Sequence, residues 1–114
     1  MTETALHSLD GWERALKAHA RVLLFKHSPS CGISAAARAE YEAFCRAHPD
    51  APTMFVDVLK DRAVARGLAE RCGVRHESPQ AILFVAGRPR WHRAHHAITA
   101  AALAAAWADA WAAK

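Results

Sequence analysis

Hydrophobic residues along the chain follow two patterns, one of which predicts strands and the other helices. Short continuous apolar runs are typical of buried strands, and apolar residues spaced three or four positions apart are typical of one helix face. The predicted strands are 21–27, 53–58, 80–85 and 90–93. The predicted helices are about 9–18, 32–48 and 61–72, with a last helix starting after residue 99. The element order αβαβαββα indicates a βαβ unit with parallel strands, followed by a ββα unit.

Residues at the ends of these elements support the predicted bounds. Ser8 and Thr99 are typical N-cap residues, and Gly73 suits the position just past a helix end. Gly87-Arg88 predicts the turn of an antiparallel hairpin between the last two strands. In the last helix, the large apolar side chains expected in the core include Trp107 and Trp111.

Composition is that of one folded domain, predicted to span residues 1–114. Charged residues make up 23% of the 114 positions, and the chain has no low-complexity polar tract, which argues against disorder. The most apolar stretch is rich in alanine and contains Asp109, so we expect no membrane span. The first residues lack a basic start followed by an apolar run, so no secretory signal is predicted and a cytoplasmic location is expected.

The charge distribution does not favour nucleic-acid binding. The formal net charge is +4, but the basic residues are spread along the chain and do not gather with aromatic residues on one element. An affinity for small anionic ligands fits this distribution better. His92, His95 and His96 lie close in sequence, but we interpret them as solvated side chains and predict no metal site.

Cys31 is the candidate reactive residue. It follows the predicted strand 21–27 and begins the next helix, where unpaired backbone N–H groups and the helix dipole favour a thiolate. Lys26 and His27 would add positive charge nearby, and Pro29 indicates an exposed turn. The alternative is that Cys31 is a small helix-start residue without chemistry.

No second cysteine lies three positions after Cys31, where a dithiol enzyme has its resolving thiol. Cys31-Gly32-Ile33-Ser34 is a C-x-x-S motif, and a serine cannot resolve a disulfide. Cys45 lies on the same predicted helix, about 21 Å further along at 1.5 Å per residue, which is too far for a disulfide. Cys72 is interpreted as a core residue, and its use as a resolving thiol stays open. The spacing of the three cysteines matches no zinc site.

Several segments together resemble the monothiol bacilliredoxin family, the thioredoxin-like proteins of the bacillithiol system. They are Phe25-Lys26-His27-Ser28-Pro29-Ser30-Cys31-Gly32-Ile33-Ser34, His76-Glu77-Ser78-Pro79-Gln80-Ala81-Ile82, Trp91-His92 and Ile98-Thr99. The resemblance implies an α/β thioredoxin fold with a central mixed four-stranded sheet flanked by helices. It implies that Cys31 is the nucleophile, that Ser34 is the family's serine, and that a cis Ser78–Pro79 peptide forms a wall beside the sulfur. Gly32 departs from the proline usual after the cysteine, and His95-His96-Ala97 departs from the usual H-W-D.

The function that the resemblance implies is removal of a small thiol, bacillithiol, from S-thiolated client proteins. No bound cofactor is expected, because bacillithiol would act as a co-substrate, and the protein is expected to be a monomer. Lys26, His27, Arg75 and His76 are expected to attract the carboxylates of bacillithiol near Cys31. Two other functions stay open: a redox sensor without turnover, and an iron–sulfur carrier, since monothiol glutaredoxins have the similar motif C-G-F-S.

Overall fold

The computed structural model describes residues 2–112, and the side-chain surroundings of residues 3–110. The strands are β1 (Thr2–Ala5), β2 (Arg21–His27), β3 (Pro52–Asp57), β4 (Gln80–Val85) and β5 (Arg88–Ala94). The α-helices are α1 (Leu9–Ala18), α2 (Gly32–Ala47), α3 (Arg62–Cys72) and α4 (Ala100–Ala112), and a short 3-10 turn, His95–Ala97, precedes α4. None of the helices in the described part of the chain is long and apolar enough to cross a bilayer.

The strands form one mixed sheet in the order β1-β3-β2-β4-β5. β1, β3 and β2 are parallel to one another, and β4 and β5 run antiparallel to their neighbours. The predicted α/β class and the βαβ and ββα units are confirmed, but the sheet has five strands and not four. The additional strand, β1, has the sequence TETA, whose single apolar residue gives no strand pattern. Its pairing with β3 makes it a strand.

Two apolar cores lie on opposite faces of the sheet because successive residues of β2 point to opposite sides. Leu23 and Phe25 face α2 and α4, where Tyr41, Phe44 and Trp107 complete one core. The other core contains Val22, Leu24, Trp12, Met54, Leu68 and Phe84, with α1 and α3. The predicted burial of Trp107 is confirmed, and Trp111 lies outside the residues whose side chains are described.

Three of the predicted helix-end residues are confirmed. Ser8 Oγ accepts a hydrogen bond from the Gly11 N–H at 3.1 Å, and Thr99 Oγ1 accepts one from the Ala102 N–H at 3.1 Å. Gly73 ends α3 with φ of 73°, in the left-handed region where glycine is favoured.

The turn of the hairpin differs by one residue from the prediction. The two residues with positive φ are Ala86 and Gly87, at 53° and 78°, and Arg88 already belongs to β5. A two-residue turn with both φ values positive matches the twist of the two strands. Because alanine rarely adopts this conformation, the sequence pattern placed the turn one position too late.

One end of the sheet brings three segments together. β2 and β3 end there, and β4 begins there, with Lys26 of β2 opposite Gln80 of β4 and beside Val56 of β3. The turn that carries Cys31 follows β2, and Ser78–Pro79 immediately precedes β4. The parallel and antiparallel pairings therefore place these turns at the same end, although they are far apart in sequence.

Candidate active site

Cys31 occupies the N-cap position of α2, as the sequence predicts. Its backbone is extended (φ −115°, ψ 124°), and its side chain makes no capping hydrogen bond. The Cys31 N–H donates to the Ser28 carbonyl at 3.2 Å, and the Cys31 carbonyl accepts from the Ala35 N–H. The side chain is partly exposed. The N-cap position lies next to the unpaired backbone N–H groups of the first helical turn.

Buried polar side chains form hydrogen bonds with the turn before Cys31. Ser34 Oγ lies 2.8 Å from His27 Nδ1 and accepts a hydrogen bond from the Ser28 N–H at 2.9 Å. Ser34 has no exposed surface, and His27 is only 7% exposed. Both side chains are shielded from solvent, and their hydrogen bonds hold the turn that carries Cys31.

The His27 ring lies in an aromatic environment. It stacks on Phe25 and is tilted against Phe55, with ring centroids 6.1 and 5.7 Å away. Burial lowers the pKa of His27, and the positive charge of Arg38 lowers it further, although Asp57 and Glu42 act in the opposite direction. The expectation that His27 supplies a positive charge at the sulfur is therefore wrong at neutral pH, because the imidazole is neutral there.

Lys26 occupies a different place from the one expected. It is 1% exposed and lies on the opposite face of β2 from His27, so it cannot contact a small thiol. Its Nζ donates to Gln80 Oε1 at 2.8 Å. Burial lowers the pKa of Lys26 to about 8, while Cys72 and Glu77 act to raise it. Nothing in the sequence indicates this burial, since a lysine at a strand end is normally solvated.

Gln80 connects Lys26 to the loop that precedes β4. The Gln80 side chain accepts from Lys26 and donates through Nε2 to the Arg75 carbonyl at 3.0 Å. The loop ends in a cis Ser78–Pro79 peptide bond, as the resemblance implies. Gln80 was not among the expected site residues. Its polar side chain at the start of an otherwise apolar strand is the signal that could have identified it.

The remaining candidate residues lie around this loop and the start of α2. Arg75 and His76 are exposed, Ser78 is partly exposed and Pro79 is buried. Burial lowers the pKa of His76, as do Lys26 and Arg66, so at neutral pH Arg75 supplies the positive charge of this pair. Gly32 is exposed, and a Cβ at this position would meet nothing within 4 Å. The glycine in place of the family's proline is therefore not required by crowding.

The other two cysteines lie in different environments. Cys45 is buried in the core between α2 and the sheet, and burial raises its pKa. Cys72 is partly buried and packs against the core on the other face of the sheet. All three cysteines are free, and among the described residues no group of three histidine, cysteine or acidic side chains could hold a metal.

Comparison with known proteins identifies the family. The sequence model of the family described as monothiol bacilliredoxin BrxC matches residues 4–103. The chain belongs to the monothiol bacilliredoxin family. For this bacilliredoxin, a solved structure described as a candidate oxidoreductase with a thioredoxin fold has 33% identity and a TM-score of 0.85, covering 92% of this chain and 93% of that one.

Thioredoxins show the same fold at lower identity. Mitochondrial thioredoxin 3 from Saccharomyces cerevisiae has a TM-score of 0.74 at 19% identity, covering 93% of both chains. Thioredoxin O2 from Arabidopsis thaliana has a TM-score of 0.71 at 15% identity, covering 95% of this bacilliredoxin and 93% of that chain. The thioredoxin fold is confirmed, and the family together with the fold supports a role in thiol redox chemistry.

Two exposed apolar side chains lie at the same end of this bacilliredoxin and were not expected from the sequence. Ile33 follows Cys31 by two positions and is 38% exposed. Leu59 is 47% exposed in the turn after β3, where Asp57 Oδ1 accepts hydrogen bonds from the backbone of Leu59 and Lys60. Exposed apolar side chains are often part of a surface that binds another protein.

Proposed function

We propose that this bacilliredoxin is a monothiol thiol–disulfide oxidoreductase that uses Cys31 to remove a small thiol from client proteins. The observation that carries the proposal is the position of Cys31: a partly exposed thiol at the start of α2, with a buried serine one helical turn further on. A partly exposed thiol at a helix start can be reached by a disulfide substrate, and the serine leaves the active-site motif without a second thiol.

The proposed exchange is a direct displacement between sulfur atoms. The Cys31 thiolate attacks the sulfur of the small thiol in a mixed disulfide, a new S–S bond forms, and the client leaves as a thiolate that takes up a proton from water. Cys31 then carries the small thiol. A second small-thiol thiolate attacks this disulfide, restores Cys31 and leaves as the oxidised small-thiol dimer. No external oxidant or reductant is needed, because each step consumes one thiolate, releases another and keeps the number of disulfide bonds constant.

Bacillithiol is the small thiol that we propose, and it would act as a co-substrate with no bound cofactor. Its carboxylates need positive charge near Cys31, and the exposed Arg75 can supply it from the loop before β4. Lys26 is excluded from this role by its burial. We propose that S-thiolated clients contact the apolar surface of Ile33 and Leu59, and that the protein acts as a monomer in the cytoplasm, where free thiols persist.

The test compares the release of bacillithiol from a model client protein by the wild type and by Cys31→Ser. We expect release by the wild type with free bacillithiol present, none by Cys31→Ser, and release close to wild type by the double variant Cys45→Ser/Cys72→Ser. Release by Cys31→Ser would contradict the proposal. Oxidation of Cys31 without any turnover would instead indicate a sensor.

The identity of the small thiol can be tested by removing the positive charge of Arg75. Arg75→Ala should slow bacillithiol release about fivefold while changing the reaction of Cys31 with a neutral disulfide less than twofold, because one exposed charge contributes modestly. High salt should reduce the difference. The matched control is Arg62→Ala, an exposed arginine at the start of α3. Equal losses of rate on both substrates would contradict bacillithiol as the small thiol but leave the proposed chemistry of Cys31 intact.

A further inference from the structure

Hydrogen bonds connect the His27 ring to the backbone of Cys31. Ser34 Oγ lies between His27 Nδ1 and the Ser28 nitrogen, at 2.8 and 2.9 Å. The Ser28 carbonyl accepts from the Cys31 N–H at 3.2 Å, which closes the turn. His27, Ser28 and Ser34 are all at most 8% exposed, whereas Cys31 is partly exposed. The turn that carries Cys31 is therefore held by hydrogen bonds to polar side chains that are shielded from water.

The direction of each hydrogen bond follows from the chemistry of the groups. The Ser28 N–H can only donate, so it uses a lone pair of Ser34 Oγ. The Ser34 hydroxyl proton then needs an acceptor, and the described contacts of Ser34 offer His27 Nδ1 alone. His27 Nδ1 must be unprotonated to accept it, which places the ring proton on Nε2. A proton on Nδ1 would leave the buried hydroxyl without this acceptor, which is unfavourable.

The surroundings of His27 favour the neutral ring that this arrangement requires. Phe25 on β2 and Phe55 on β3 enclose the imidazole. Burial lowers the pKa of His27, and Arg38 on α2 lowers it further. Glu42 on α2 and Asp57 on β3 are the facing acidic groups, and they oppose this effect without reversing it.

We propose that neutral His27 is a positioning residue for the reaction of Cys31. By accepting the Ser34 proton, His27 holds the Ser34 hydroxyl on the Ser28 N–H and fixes the turn that presents the sulfur. It also keeps the Ser34 proton directed away from Cys31. The serine of the C-x-x-S motif is then a structural link between strand β2 and helix α2, in addition to being the residue that replaces a second thiol. This inference rests on the proposed role of Cys31 as nucleophile.

The test measures the rate of Cys31 with a neutral disulfide and the hydrogen exchange of the Ser28 amide. Ser34→Ala and His27→Leu should each slow the reaction about tenfold and expose the Ser28 N–H to exchange, because each removes the link. The double variant should be no slower than either single variant, since both act on one link. His27→Asn should stay within about threefold of the wild type, because its amide oxygen can accept the Ser34 proton. Ser30→Ala, at an exposed serine of the same turn, is the matched control and should not change either measurement.

The ¹⁵N shifts of the His27 ring provide an independent readout in the wild type. We expect the Nε2–H tautomer at neutral pH, and loss of Ser28 amide protection when acid protonates the ring, a loss that His27→Asn should not show. A proton on Nδ1 at neutral pH, or unchanged Cys31 rates in Ser34→Ala, would overturn the inference. Additive losses in the double variant would also overturn it. If the proposed function is wrong, the wild type itself will show no disulfide exchange through Cys31. That result is distinguishable from failure of this inference, in which the wild type still reacts.

Discussion

Lys26 is a buried charged residue that holds a loop at the end of the sheet where Cys31 lies. Its ammonium group is enclosed by protein, so it requires an acceptor, and Gln80 Oε1 provides one. Gln80 at the same time holds the Arg75 carbonyl, which belongs to the loop before the cis Ser78–Pro79 bond. A buried lysine at the end of β2 thus helps to fix the position of a loop at the same end of the sheet as Cys31.

The burial of Lys26 predicts a particular dependence of stability on pH. Its pKa is about 8 in the folded protein and 10.5 in the unfolded chain, so between these pH values the unfolded state binds more protons. The contribution of Lys26 to the free energy of unfolding should therefore rise from pH 8 towards pH 10.5, by up to about 3 kcal/mol. Below pH 8 the lysine is charged in both states, and its contribution should be constant.

The measurement is urea unfolding of the wild type and Lys26→Met at several pH values in the presence of reductant. We expect the stability of the wild type relative to Lys26→Met to increase between pH 8 and pH 10. Lys17→Met, at an exposed lysine of α1, is the control and should remain parallel to the wild type. Parallel curves for wild type and Lys26→Met would show that Lys26 titrates as a solvated lysine.

At the scale of elements, α2 combines two tasks. Its first turn presents Cys31 and fixes Ser34 against His27, and its later turns carry Tyr41, Phe44 and Cys45 into the core. Because a helix places residues three and four positions apart on one face, the buried stripe and the buried serine share that face. Cys31 therefore lies at the partly exposed end of a helix whose position is set by packing.

The hairpin between β4 and β5 offers a test of backbone conformation separate from side-chain contacts. Gly87 has φ of 78°, and a Cβ there would meet nothing within 4 Å, so Gly87→Ala should destabilise the fold by about 1 kcal/mol through the backbone alone. Ala86 already adopts φ of 53°, so Ala86→Gly should not destabilise. Urea unfolding measures both changes.

A control for the second substitution comes from a regular helix. Ala105→Gly, at an exposed position in the middle of α4, should destabilise by about 1 kcal/mol, as glycine does in helix interiors. If Ala86→Gly destabilised the fold as much as Ala105→Gly, the left-handed φ of Ala86 would be contradicted.

At the scale of the molecule, the three cysteines lie in different parts of the fold. Cys45 lies on α2 about 21 Å along the helix from Cys31, and Cys72 packs on the face of the sheet opposite to α2. Disulfide formation requires Cα atoms within about 7 Å. Cys45 is therefore excluded as an internal partner of Cys31, and we expect an external thiol to complete the proposed cycle.

Mild oxidation should accordingly give no intramolecular disulfide. We expect Cys31 to form a mixed disulfide with an added small thiol, with Cys45 unmodified because it is buried and burial raises its pKa. Mass spectrometry of proteolytic peptides after oxidation identifies the linked residues. A Cys31–Cys72 peptide would change the mechanism to one with a resolving thiol, and a Cys31–Cys45 peptide would contradict the helical geometry of α2.

The sequence by itself determined the elements whose signals are local. The apolar runs defined β2 and β4 at their observed bounds, helical spacing defined the four helices, and Ser8, Gly73 and Thr99 marked their ends. Cys31 could be recognised as the helix start because the turn residues before it and the helical pattern after it are adjacent in the chain.

Tertiary structure alone decided the features that depend on pairing between distant segments. β1 is a strand because β3 lies beside it, and Lys26 is buried because Gln80, 54 positions away, lies opposite it. His27 and Lys26 are neighbours in sequence, yet the alternation of a strand sends one towards Ser34 and the other towards Gln80. The physical reason is that burial and hydrogen-bond partners are set by which elements pack together, and residue order does not contain that packing directly.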